Sequence, residues 1–218
     1  MRSALVIGVV CLGIVVAFLA VVPPAAFAQQ SGPKVIKGGK LDEIKLHVAT
    51  LPSGPEISVM VRRFSSEGAD LGTGGEGGKK ARTEEAAKIQ KEGPEMLAAE
   101  LVARLTKLGF FTKVSIIDAS APVPPEAIVV EGKFLKIDPG SRAARYFAGF
   151  GAGKSTVQVE GAVKDGTGRT LAEFSQRRFG AMGVGGGDSL EKLTSDSKSI
   201  GKDIAEFLDA WARGKSLK

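Results

Sequence analysis

A glycine-rich run that ends in lysine and serine is the first feature of the sequence that suggests chemistry. It reads Gly-Phe-Gly-Ala-Gly-Lys-Ser-Thr over residues 149–156. A phosphate-binding loop needs a glycine, four residues and then Gly-Lys-Ser/Thr, so that backbone N–H groups and the lysine reach the phosphates. The required first position is Ala148, and Gly149 is one residue too close. Such a loop must also open a helix, whereas the alternation after Ser155 predicts a strand, so we expect no nucleotide binding.

The same region groups basic and aromatic side chains between two predicted strands. The candidate partner- or anion-binding residues are Arg142, Arg145, Tyr146, Phe147, Phe150 and Lys154. Aromatic rings of this kind bury against a partner or a lipid interface while the basic groups meet anions. The alternative is a long connection whose rings fold back on their own sheet.

Catalytic and metal-binding patterns are weak in this chain. His47 is the single histidine, and the single cysteine, Cys11, lies in the apolar run at the amino terminus. Neither a histidine-activated nucleophile nor a cysteine metal site has support. Four carboxylates lie on or beside predicted strands: Glu131, Asp138, Glu160 and Glu173. They are able to pair in space, but their spacing does not require it, so we expect a non-enzymatic protein without cofactor or metal.

The amino terminus has the three parts of a secretory signal peptide. Arg2 supplies the basic start, residues 4–22 carry no charge, and residues 26–28 form an A-x-A cleavage site. We expect cleavage to remove residues 1–28 as the signal peptide and to release a periplasmic or secreted protein. The apolar run is 19 residues long, close to the ~20 that span a bilayer. An uncleaved signal that anchors the chain to the inner membrane is therefore the alternative.

Helical spacing is clearest in the middle and at the end of the chain. A helical stretch begins near Thr83 and is interrupted at Gly93. A second starts at Pro94 and ends at Gly109, with Leu97, Leu101, Leu105 and Leu108 in one stripe. The final helix is capped by Asp188 or Ser189. Its apolar face consists of Leu193, Ile200, Ile204, Phe207, Leu208 and Trp211.

Alternating apolar residues predict five strands, at residues 56–64, 110–117, 127–137, 157–164 and 169–179. Residues 165–168, Asp-Gly-Thr-Gly, predict a hairpin turn. We expect a flexible segment at residues 29–55, then a single α+β domain at residues 56–213 with glycine-rich loops at 65–80 and 180–188. The predicted fold is a two-layer sandwich, with a mainly antiparallel sheet of about five strands and two helices on one face.

Two segments resemble known families of exported bacterial proteins. Residues 93–118, GPEMLAAELVARLTKLGFFTKVSIID, resemble the helix-then-strand element of envelope domains such as the TolB amino-terminal domain and the curli-secretion lipoprotein. Residues 145–174 resemble an uncharacterised family of short exported proteins, in which an arginine and alternating glycines precede a strand hairpin. The resemblance implies an envelope location and an α+β fold. The acylated cysteine of the lipoprotein relatives is absent here.

Composition narrows the expected partners. The net charge is +6, which suits an acidic partner, although nucleic acid usually demands a denser basic stripe. We expect an accessory or binding module of the cell envelope that meets an envelope protein or an anionic surface, and not nucleic acid or nucleotide. Self-association through a sheet edge is a further possibility. The alternative is an anion- or ligand-binding protein, enzymes included, that uses the loop from Gly149 to Lys154.

The signal peptide gives the first testable prediction. The exported protein should begin at Gln29, because residues 26–28 form the only well-placed cleavage site. Intact-mass measurement of the protein from the envelope fraction checks this. A mass that retains residues 1–28 would instead identify an anchored protein.

Overall fold

Apolar residues at every second position build a sheet of seven strands within the described part of the chain. The computed structural model describes residues 32–52, 57–72, 79–140, 154–180 and 189–218, without the side chains of residues 79–82 and 189. The strands are β1 (Lys34–Lys37), β2 (Glu43–Leu46), β3 (Ser58–Arg62), β4 (Lys113–Ile117), β5 (Ile128–Asp138), β6 (Thr156–Asp165) and β7 (Thr170–Phe179). The helices are α1 (Lys79–Leu108) and α2 (Ser189–Ala212).

The sheet is mainly antiparallel, as the sequence predicts. Its strand order is β1-β2-β7-β6-β5-β3-β4, and only the pairings of β3 with β5 and with β4 are parallel. The predicted number of strands was too small. The two additional strands, β1 and β2, lie in the segment expected to be flexible. Each has four residues, too few to give a clear alternating pattern, but Ile36, Ile44 and Leu46 are buried in the core.

Helix α1 runs without interruption through Pro94, where the sequence predicted a break. Proline in a helix interior costs about 3 kcal/mol, so other contacts must offset it. The preceding residue, Gly93, brings the helix against the sheet: a Cβ there would lie 3.4 Å from the ring of Phe134. Leu97, Leu101 and Leu105 are fully buried. Packing of this apolar stripe keeps the chain helical through the proline position.

Both helices cover the same face of the sheet, which confirms the two-layer architecture. All six predicted apolar residues of α2 are buried. The helices also contact each other closely at Gly201, where a Cβ would lie 2.5 Å from the carbonyl oxygen of Leu97. The glycine weakens the helix by itself, but it allows this approach. Among the described residues, neither helix combines the length and the apolar character needed to cross a membrane.

Two glycines face each other across β5 and β6 on the helix-covered side. Gly132 pairs with Gly161, and phenylalanine rings occupy the space beside them. A Cβ on Gly132 would lie 2.5 Å from the ring of Phe64, and one on Gly161 would lie 2.5 Å from the ring of Phe174. The ring centroids of Phe174 and Phe207, a residue of α2, are 6.3 Å apart. The glycine pair therefore lets aromatic rings join the sheet to the helix layer.

The first predicted glycine-rich loop, residues 65–80, is partly ordered along the sheet. Ser65 and Asp70 each form a bridge to β5, and the Phe134 N–H donates to the Ser65 carbonyl at 2.7 Å. Helix α1 already begins at Lys79. Residues 73–78 lie outside the described chain, as do residues 181–188 of the second glycine-rich loop. Repeated glycines hide this pairing in the sequence, because the pairing uses backbone groups only.

The glycine pair gives a stability prediction. Gly161→Ala should destabilise the domain by about 1–3 kcal/mol, because the added methyl forces the Phe174 ring out of its place. Chemical denaturation of both proteins measures the change in free energy of unfolding. Gly32→Ala is the matched control, because a Cβ there meets no atom within 4 Å. A change of less than about 0.5 kcal/mol for Gly161→Ala would show that the ring moves at little cost.

Candidate functional site

The face of the sheet opposite the helices carries a charged cleft of 810 Å³. Its walls come from β2, β3, β5, β6 and β7 and from the residues that follow β3 and β4. Side chains alternate between the two faces of a strand, so the polar residues between the buried ones point into this cleft. The cleft is the candidate functional site.

Strand register arranges these side chains in two rows that cross the sheet. The first row is Lys37, Glu43, Ser175, Glu160 and Lys133. The second is Lys45, Glu173, Ala162 and Glu131, and the hydrogen bond from Arg62 Nη1 to Glu131 adds Arg62 at its end. Both rows have the order cation, carboxylate, small residue, carboxylate, cation. Four carboxylates therefore surround a floor formed by Ser175 and Ala162, and the cations stand at the margins.

Ion pairs connect the carboxylates to the marginal cations. Nζ–Oε distances are 3.3 Å for Lys37–Glu43, 3.6 Å for Lys45–Glu43, 3.9 Å for Lys45–Glu173 and 3.0 Å for Lys133–Glu160. The side chains of Glu160 and Glu173 are 47% and 49% exposed. Exposed ion pairs contribute only about 0–1 kcal/mol each. A partner is therefore able to rearrange these pairs at small cost.

Glu131 is the most enclosed carboxylate of the cleft. Burial raises its pKa, but hydrogen bonds donated by Lys164 Nζ and Arg62 Nη1 outweigh that effect, and the pKa lies below its ordinary value. The two donors lie 2.6 and 2.8 Å from its two oxygens. Glu131 is therefore an anion at neutral pH, which suits electrostatic binding and not proton donation.

Of the residues that the sequence predicted as a site, only Lys154 lies in the described part of the chain. Arg142, Arg145, Tyr146, Phe147 and Phe150 lie outside it. Lys154 is half-buried just before β6 and does not line the cleft. As predicted, a strand follows it where a phosphate loop requires a helix.

A second polar cluster lies beside Lys154, between the sheet and α2. Ser155 is 2% exposed, and neither its Oγ nor Asp196 Oδ2 has a hydrogen-bond partner among the described residues. Both oxygens flank Gly180, whose Cβ, if present, would lie 2.0 Å from Ser155 Oγ and 3.7 Å from Asp196 Oδ2. Burial raises the pKa of Asp196, and the charges of Arg178 and Lys192 offset this only in part. Asp196 is thus a carboxylate held in an unfavourable environment.

The adjacent carboxylate, Asp203, is hydrogen-bonded through its Oδ2 atom. That oxygen accepts hydrogen bonds from Gln176 Nε2 at 2.9 Å and from Arg178 Nε at 3.0 Å. Hydrogen-bonded buried groups of this kind help to fix the relative position of helix and sheet. Asp196 lies seven residues, or about two helical turns, earlier in α2, and the contrast between the two carboxylates shows that the polar cluster is only partly compensated.

Three of the four carboxylates noted on the predicted strands lie in the cleft. Glu131, Glu160 and Glu173 line it, whereas Asp138 lies apart, ion-paired to Lys136 at 3.5 Å and bonded to the Gly140 N–H. The cations and the β2 residues were missed. Alternating charges on the wet faces of the predicted strands were a signal, but only the strand order and register show which charges become neighbours.

The remaining polar candidate, His47, is exposed, and its Nε2 lies 3.5 Å from Glu173 Oε1. Within the part of the chain that the structure describes, no three side chains of the His, Cys, Asp or Glu type are grouped to hold a metal ion. The cleft is instead a balanced surface of ion pairs.

These features define the chain as a two-layer α+β protein with a charged open sheet face. It belongs to the DUF4410 family, a domain of unknown function, whose family model matches residues 59–184. No curated protein matches the chain by sequence.

Solved structures resemble the chain only distantly. The PelC dodecamer from Paraburkholderia phytofirmans is 12% identical, with a TM-score of 0.40, over 79% of this chain and 96% of that one. A PelC variant dodecamer from the same organism is 12% identical, with a TM-score of 0.40, over 74% and 97%. The crystal structure of an uncharacterized protein is 12% identical, with a TM-score of 0.38, over 72% and 94%. Matches with this sequence identity and TM-score establish neither a shared assembly nor a shared activity.

The uncompensated carboxylate gives a pH prediction. The folded-state pKa of Asp196 is raised above the ordinary 3.8, so the ionised carboxylate disfavours the folded state. The free energy of unfolding therefore falls as the pH rises from the unfolded-state pKa to the folded-state pKa of Asp196. Asp196→Asn should therefore stabilise the domain at pH 7, and the gain should shrink towards pH 4. Denaturant midpoints at both pH values measure this.

Asp165→Asn is a control of opposite sign. Hydrogen bonds from Thr167 and Arg169 hold the pKa of Asp165 below its ordinary value, so its ionised form stabilises the fold at neutral pH. That variant should be less stable than the wild type at pH 7. Equal stability of wild type and Asp196→Asn at both pH values would contradict the assignment of Asp196 as an unfavourable carboxylate.

Proposed function

We propose that the chain is an exported, non-enzymatic binding module of the bacterial cell envelope, and that the cleft on its open sheet face is the binding surface. The export part rests on the basic start, the apolar run and the A-x-A site of residues 1–28. The envelope part is supported by the resemblance of residues 93–118 to envelope domains such as the TolB amino-terminal domain.

The observation that carries the binding role is the cleft itself. Both described helices lie on the other face, so the long strands β5, β6 and β7 present a wide polar surface to solvent. A cleft of 810 Å³ is within the about 300–1,000 Å³ range of ligand sites. The cleft carries both cations and carboxylates, which is typical of recognition surfaces that select a partner by charge pattern.

The electrostatics of the cleft favour binding over acid–base catalysis. Its most enclosed carboxylate, Glu131, has a lowered pKa because Lys164 and Arg62 donate hydrogen bonds to it. A general acid at neutral pH needs a raised pKa. The charged groups therefore serve to attract and orient a partner.

Affinity capture from intact envelopes tests the proposal. The tagged full chain is cross-linked in its native host as wild type, as Ala162→Arg and as Ala99→Arg. Ala162 is on the floor of the cleft, where an arginine fills the space between the carboxylates. Ala99 is exposed on α1 on the other face, which makes Ala99→Arg the matched control.

Wild type and Ala99→Arg should recover the same partners, and Ala162→Arg should recover them at least about tenfold less, equivalent to 1.4 kcal/mol. Circular dichroism verifies that the variants are folded. Recovery of an unchanged set of partners by folded Ala162→Arg would refute the cleft as the binding surface.

A further inference from the structure

The order of charges across the cleft is the same in both rows. Glu43 and Glu160 flank Ser175 in the first row, and Glu173 and Glu131 flank Ala162 in the second. Neighbouring strands are about 4.8 Å apart and the two rows about 7 Å apart. Ser175 and Ala162 thus form a floor roughly two strands wide that is bordered by the four carboxylates.

The marginal cations approach the carboxylates from the strands next to them in the sheet. Lys133 on β5 contacts Glu160 through one oxygen, Oε1, at 3.0 Å. Lys45 on β2 lies 3.9 Å from Glu173. Seen by a partner, the centre of the cleft is negative and its margins are positive, and Lys164, whose Nζ lies 2.6 Å from Glu131 Oε1, adds a further cation beside the second row.

We infer that the open sheet face docks an extended segment of a partner protein that carries two basic side chains at its centre and acidic side chains at its ends. This inference rests on the proposed function and names its partner chemistry. The basic groups occupy the places above Ser175 and Ala162, between the four carboxylates, and the acidic ends meet the marginal cations.

Spacing and charge both favour this occupant. Side chains two residues apart in an extended chain are about 7 Å apart and face the same way. This spacing matches the diagonal of about 7–8 Å between Ser175 and Ala162, which lie on neighbouring strands. An anionic lipid surface or a nucleic acid would bring negative charge against the four central carboxylates, and like charges across an interface cost affinity.

Two peptides of identical composition test the inference. One is acetyl-Gly-Glu-Ser-Lys-Ser-Lys-Ser-Glu-Gly-amide, and the other exchanges every lysine with a glutamate. Both have zero net charge, so only the order of charges differs. Backbone amide shifts of the ¹⁵N-labelled exported chain report where each peptide binds and how tightly.

The peptide with the basic centre should shift amides of β5, β6 and β7 and bind at least about tenfold more tightly than the exchanged peptide. The double variant Glu160→Gln, Glu173→Gln should lose this preference, because the neutral amides no longer attract the lysines. Glu126→Gln, an exposed change outside the cleft, should retain it.

Three outcomes would overturn the inference: equal binding of the two peptides, binding of neither at millimolar concentration, or shifts of the same cleft amides by phosphatidylglycerol vesicles. If the peptides fail while Ala162→Arg still abolishes envelope capture, the cleft is a binding surface for a partner of other chemistry. If Ala162→Arg captures the same partners as wild type, the proposed function itself fails.

Discussion

The close contact between the glycine pair of β5 and β6 and the rings of Phe64 and Phe174 constrains both layers of the domain. A Cβ at Gly132 or Gly161 would come within 2.5 Å of a ring, so the rings occupy positions that only glycine leaves open. Phe174 then meets Phe207, and Phe207 stacks on Trp211 at 5.6 Å. Because both glycines and Phe174 also line the cleft on the opposite face, the packing that joins sheet to helices also shapes the candidate site.

Register is the second constraint, and it links the core to the charge pattern. The side chains of a strand alternate with a period of two, so a slip of one residue would move the charged rows into the core and the apolar residues into solvent. Burial of Val157, Val159 and Val163 on the helix side therefore fixes Glu160 and Ala162 on the open side. The charge order of the cleft is a consequence of where the apolar core must lie.

The two polar regions of the molecule have different energetic roles. Exposed ion pairs in the cleft add little stability, so their arrangement is available for recognition. The cluster under α2 is buried. Its Ser155 Oγ and Asp196 Oδ2 atoms, which have no hydrogen-bond partner among the described residues, lower the stability of the fold, and the ion pair of Arg178 with Asp203 offsets part of that loss. This partly hydrogen-bonded cluster lies next to Lys154, at the end of the predicted binding segment, and it lowers the stability of the fold locally.

The sequence by itself determined the local features whose signals are short-range. The spacing of apolar residues located the apolar faces of both helices. Gly109 marked the end of α1, with φ at 71°, and Asp165 to Gly168 marked the hairpin turn. Alternation located five strands and the α+β class. Signals of this kind depend on propensity and periodicity within a few residues, which the chain carries wherever it folds.

Tertiary structure decided what depends on contacts between distant residues. Strands β1 and β2 are too short to be recognised alone; β2 is held by pairing with β7, and β1 by pairing with β2. Helix α1 continues through Pro94 because packing against Phe134 and α2 offsets a local penalty. The cleft brings together residues from Glu43 to Ser175, more than a hundred positions apart. Their proximity follows from strand order and register, which no local pattern of residues encodes.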